Sequence, residues 1–149
     1  MIKYKGDLPE ISLKLKKGGH KKCKISSSKD AEEFFRSIFD KDTLEIYETF
    51  MVVFLNNSNN TLGFIKLSQG GITGTLVDVR LLMVSALQCG AVSMMMAHNH
   101  PSGTLKPSKA DKSLTQKINL AANTLDIRIL DHLIIAENGY YSFADENQL

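Results

Sequence analysis

The stretch Ala91–Asp111, AVSMMMAHNHPSGTLKPSKAD, decides the class of fold. AVSMMMA is a short apolar run and reads as a buried strand. Its three methionines suit core filling better than metal ligation. Pro101-Ser102-Gly103 reads as a turn, and Pro101 biases His100 toward an extended backbone. Ser108 followed three residues later by Asp111 is a helix-start pattern. A strand, a turn and a capped helix in this order make an α/β unit.

Working outward, the helix runs from Lys109 to about Leu125. RILDHLIIA (Arg128–Ala136) is a further strand, and GYYSF a final short one. Upstream, Asp78 can cap a helix to about Gly90, with Val79, Leu82, Met83, Ala86 and Leu87 at helical spacing. IYETFMVVFL (Ile46–Leu55) is rich in β-branched and aromatic residues. NNSNN turns it, and TLGFIKLS returns. SSSKDAEEFFRSIF begins a helix whose stripe is Phe34, Phe35 and Ile38, with Glu32 and Glu33 near its positive end. ISLKLKK alternates apolar and polar, Gly18-Gly19 offers a turn and KKCKIS returns, which predicts a β-hairpin. Glycines 70, 71 and 74 do not form a dinucleotide-binding fingerprint. The pattern predicts one α/β domain of the mixed α+β kind, a mixed β-sheet flanked by helices.

The composition, 43% hydrophobic and 23% charged over 149 residues, is that of a globular domain able to bury a core. No apolar run reaches membrane-spanning length, so no membrane association is expected. The first residues carry no secretory signal pattern, and Cys23 and Cys89 form no CxxC pair. A cytoplasmic location is expected. The net charge of +2 conceals an uneven distribution. Residues 1–24 hold eight lysines against Asp7 and Glu10, a net of +6. Such an end can contact phosphates, but lysines also guard exposed strand edges, and no aromatic residues interleave to stack bases.

Side chains two apart on a strand share a face, so His98 and His100 project together and Asn99 turns away. Neutral imidazoles there can bind one cation. The Asp111 carboxylate, near the first turn of the next helix, leans back toward the strand end. Two histidines, a carboxylate and an open position match catalytic zinc. The same Asp111 also suits a plain helix cap with Ser108, and the two readings are compatible.

These residues resemble the RadC-like branch of the JAB/MPN metal-dependent hydrolases, which carry the JAMM motif. Here the motif is Glu48, His98-Asn99-His100, Ser108 and Asp111. Further matches are YETFMVVFLN around Glu48, Gly74-Thr75, the Thr115 helix position, LDHLIIA with Asp131-His132, and GYYSF. The resemblance covers about residues 44–149. It implies a cytidine-deaminase-like three-layer sandwich over residues 28–149, and the alternation of residues 1–27 reads separately as a basic hairpin extension packed on the same domain. It implies one Zn2+ per chain, or another divalent ion, held by His98, His100 and Asp111. Glu48 becomes the general base and Ser108 an oxyanion donor, acting on a peptide or isopeptide bond in a protein or peptide substrate. Asp131 and His132 are candidates to orient a ligand from behind. Full-length members carry an N-terminal helix-hairpin-helix module, whereas the first 26 residues here read as a strand hairpin.

Two other function classes stay open: a nucleic-acid-processing or repair-associated protein, and a metal-bound scaffold without catalysis. A homo-oligomer is open too. A zinc deaminase is excluded, because its signature needs HxE and PCxxC.

Overall fold

The computed structural model describes residues 5–12, 14–70 and 76–149. Gly71, Gly74 and Thr75 lie outside them. The elements are α1 (Ser28–Ile38), β1 (Thr49–Leu55), β2 (Thr61–Gln69), α2 (Val79–Gln88), β3 (Ser93–Asn99), α3 (Lys109–Thr124), β4 (Arg128–Ala136) and β5 (Gly139–Ser142). The five strands form one sheet in the order β2-β1-β3-β4-β5. Only β3 and β4 pair in parallel; the other three pairings are antiparallel. The crossover that joins β3 to β4 is α3.

Strands β1 and β3 lie at the middle and are buried along their whole length. That explains their near-continuous apolar runs, since neither face meets water. Alternate residues feed two cores. Met51, Val53, Leu55, Met95, Ala97, Leu133 and Ile135 pack against Ala31, Phe34 and Phe35 of α1. On the other face Phe50, Val52, Phe54, Met94, Met96 and Ile129 meet Leu82, Met83 and Ala86 of α2 and Ile118 and Ala122 of α3. The result is the expected three-layer sandwich, helix–sheet–helices.

One irregularity bears on function. Met94 pairs with Ile129 but Met95 pairs with Asp131, so Leu130 is an extra residue in β4. A bulge of this kind reverses the alternation beyond it. His132 therefore lines up with Met96 on the α3 face, and Asp131 lines up with Met95 on the α1 face.

Two expectations are corrected. Strand β1 begins at Thr49, three residues later than its apolar run suggests. Residues 41–47 are turn, and Ile46 is 55% exposed. The N-terminal hairpin does not form among the described residues. Instead, Lys24 makes an isolated antiparallel bridge with Asn60, with Ile25 N donating to Asn59 O and Thr61 N to Cys23 O. A two-stranded hairpin is marginal unless something covers its apolar face. Here Ile11 and Leu15 stay 90% and 63% exposed, so the alternation has nothing to bury against. The chain finds backbone partners at the edge of the large sheet instead.

Candidate metal centre

Strand β3 ends in His98 and Asn99, and His100 follows directly. The backbone at His100 is held by its N–H to Ile135 O, and Gly103 N closes the Pro101-Ser102 turn onto His100 O. Gly103 has φ +82°, a conformation that favours glycine. The chain then returns to Ser108, which caps α3. The Ser108 hydroxyl accepts from Asp111 N at 3.0 Å, and the Asp111 carboxylate accepts from Ser108 N at 2.7 Å. This reciprocal box fixes the Asp111 side chain at the helix start.

Three of the expected ligands meet. His98 Nε2 and His100 Nε2 are 2.9 Å apart. Asp111 Oδ1 lies 3.3 Å from the first and Oδ2 3.3 Å from the second. Glu48, half-buried just before β1, places Oε1 3.8 Å from His100 Nε2. Donor atoms of Glu48, His98 and His100 all lie within 4.8 Å of one another. Asp111 touches both imidazoles, whereas Glu48 stands one step further back beside His100.

The hydrogen bonds behind the imidazoles settle which nitrogen faces the centre. The Thr115 hydroxyl donates to Asp111 O at 2.7 Å, the usual back-bond of a helical threonine. With its proton so used, Thr115 Oγ1 accepts from His132 Nδ1 at 2.7 Å. His132 Nε2 must then accept from His98 Nδ1, 2.8 Å away. The lone pair of His98 is left on Nε2, pointing inward. His100 Nδ1 donates to Thr104 O at 2.7 Å, which leaves its Nε2 lone pair inward as well.

The state of His132 agrees with this wiring. His132 is fully buried, and burial holds its pKa well below the ordinary histidine value, so it stays neutral. It stacks on Phe143 at 4.7 Å between centroids. Burial opposes ionisation of Asp111, but the two imidazoles, which donate to it whenever Nε2 carries a proton in place of a cation, outweigh that and hold the carboxyl far below the usual carboxylate range. Burial likewise opposes protonation of His100, yet the Asp111 carboxylate and the Thr104 carbonyl raise its pKa.

This donor set fits a divalent cation. Two imidazole lone pairs and an ionised carboxylate converge on one point, which is stable only with positive charge among them. Imidazole and carboxylate together suit zinc, iron or manganese.

The remaining candidates separate. His132 stands directly behind His98. Asp131 does not: its carboxylate accepts from Ser142 Oγ at 2.6 Å, His132 N at 2.7 Å and Ala144 N at 3.0 Å. It secures β5 and the following turn from the far face, because the bulge turned it away. Ser108 is exposed at the rim. Glu45, a neighbour of Glu48 in sequence, lies beside Glu137 instead, whose like charge raises its pKa. Two contributors carried no functional reading in the sequence: Thr115 as an acceptor for His132, and Asn99. The first had a signal, since a threonine four residues after a helix ligand can back-bond to it.

The RadC-like JAB domain profile matches residues 25–149. A UPF0758 protein of Flavobacterium johnsoniae is 51% identical over 137 residues, 92% of this chain and 56% of the relative. A UPF0758 protein of Porphyromonas gingivalis is 47% identical over 103 residues, 68% of this chain and 45% of that protein. A third, from Haemophilus ducreyi, is 41% identical over 99 residues, 66% and 44% of the two chains. The chain thus spans about half the length of the curated relatives it matches.

Proposed function

Because the chain belongs to the RadC-like JAB domain family, we propose that it is a zinc-dependent hydrolase that cleaves a peptide or isopeptide bond. The observation that carries this reading is the convergence of His98 Nε2, His100 Nε2 and the Asp111 carboxylate, with Glu48 beside them. His98, His100 and Asp111 would hold the ion. Zinc bound there supplies Lewis acidity, acidifying a water and polarising a scissile carbonyl.

The residues of the chain divide the remaining work. Glu48 is set back from the ligands and half-buried, placed to accept a proton from the attacking water and return it to the leaving amine. Ser108 spends a lone pair on Asp111 N, so its own hydroxyl proton is free to donate toward a developing oxyanion. His132 and Thr115 hold His98 in the tautomer that binds through Nε2.

Incubation of zinc-loaded protein with peptide and isopeptide libraries tests the proposal. Cleavage should require the metal, and Glu48→Gln should slow it by about 10²–10⁴-fold while leaving zinc bound. Absence of any cleavage that depends on both metal and Glu48 would count decisively against the reading.

A further inference from the structure

Asn99 sits between the two ligand histidines and is 1% exposed, with its side chain directed away from the centre they form. Its carboxamide makes three hydrogen bonds, all to the segment 44–49 that leads into β1. Oδ1 accepts from Thr49 N at 2.7 Å. Nδ2 donates to Leu44 O at 2.6 Å and to Tyr47 O at 2.9 Å. The orientation of the amide is dictated by its partners, since one backbone N–H needs an acceptor and two carbonyls need donors. Tyr47 and Thr49 are the two neighbours of Glu48. Residues 41–47 have no place in the sheet. Gly70 N holds Glu48 O from the β2 side and Phe50 pairs with His98, and the Asn99 amide adds a side-chain tie from 44–49 to the end of β3.

We propose that Asn99 is a positioning residue for Glu48, locking its backbone to the same strand end that presents His98 and His100. The inference rests on Glu48 being the proton-transferring group. The alternation of β3 makes the device compact: the faces on either side of one residue carry the metal ligands and the clamp. No other short side chain satisfies all three partners. Aspartate keeps the acceptor for Thr49 but has no donor. Serine has one donor and lacks the fork that reaches two carbonyls. Alanine leaves one buried N–H and two carbonyls without this partner.

Residue-resolved amide exchange on the full chain without metal reads the clamp directly. In Asn99→Ala, exchange of the Thr49 amide should rise about tenfold or more. In Asn99→Asp the Thr49 amide should stay protected while the amides of residues 44–47 exchange faster. Amides of residues 93–98 in β3 and 128–135 in β4 should be unchanged in both variants. Zinc should still bind Asn99→Ala at one ion per chain. In the hydrolysis assay, Asn99→Ala with Glu48→Gln should be no slower than Glu48→Gln alone, because one acts through the other.

Unchanged Thr49 protection in Asn99→Ala would overturn the inference. So would a rise spread equally over β3 and β4, which marks general loosening, or rate losses that multiply in the double variant. Should the wild-type protein show no Glu48-dependent hydrolysis, the proposed function fails while the exchange measurement still decides whether Asn99 clamps the segment.

Discussion

Thr115 and His132 touch no metal, yet their hydrogen bonds decide how His98 presents itself. Replacing Thr115 by Val keeps the shape and removes both the acceptor for His132 Nδ1 and the donor to Asp111 O. Zinc affinity should fall about 10–100-fold in a chelator competition titration. An unchanged affinity would show that His98 keeps its tautomer without the chain behind it. The convergence of His98, His100 and Asp111 was legible in the sequence, because an HxH at a strand end and a carboxylate in a helix cap have fixed reach. The supporting residues were harder to read. A helical threonine usually back-bonds and does nothing more. Whether His132 or Asp131 faces the site depends on a one-residue bulge at Leu130 that no local pattern announces. Asn99 was correctly read as turned away, but its partners lie fifty residues upstream, where only the folded chain brings them.

At the scale of elements, α1 is tied to the end of the sheet by a charge cluster built around a buried glutamate. Glu32 is 6% exposed and pairs with Lys29 at 2.7 Å and with Arg36. The Arg36 guanidinium continues to Ala136 O and Gly139 O, each at 3.0 Å, spanning the β4–β5 turn. Burial works against the Glu32 charge, but hydrogen bonds from Arg36 and Lys29 win and lower its pKa. The folded chain therefore binds this proton less readily than the unfolded chain. The stabilisation is fully present above the ordinary glutamate value of roughly 4.3 and is lost as pH falls through the lowered one. Glu32→Gln should cost about 1–3 kcal/mol at neutral pH in urea unfolding. Its stability should also change less than wild type between about pH 5 and pH 3. Equal acid sensitivity in the two proteins would place the acid-labile group elsewhere. Helices and their caps were readable here: Asp78 and Ser108 each sit at the start their pattern suggested, and Ser27 within the serine run caps α1. Among the described residues of Ile11–Ser26 the hairpin does not form, for a reason outside its own sequence. Alternation predicts a strand only where a neighbouring element buries one face, and α1 and the sheet already bury each other.

For the whole molecule, the sheet joins two cores and the candidate metal centre stands where three parts of the chain meet: the end of β3, the cap of α3 and the segment before β1. An ion held there links elements far apart in sequence, so it should stabilise the fold as well as serve chemistry. At zinc about a hundredfold above its dissociation constant, linkage predicts about 2.7 kcal/mol of added stability. For a chain of this length, that is a rise in melting temperature of roughly 5–10 °C. Scanning calorimetry with and without zinc should show the shift in wild type and none in His98→Ala. The sandwich was legible because the apolar runs of β1 and β3 announce central strands and α3 announces the crossover. The sheet order was not, since it depends on which edges meet after collapse. No helix among the described residues is long and apolar enough to cross a membrane. The account stands or falls on the ion itself, and metal analysis of protein purified without chelator addresses it most directly. Wild type should carry about one zinc or similar divalent ion per chain, and His98→Ala and Asp111→Ala should each lose it. Retention of the metal in both variants, or its absence from folded wild-type protein, would contradict the assignment.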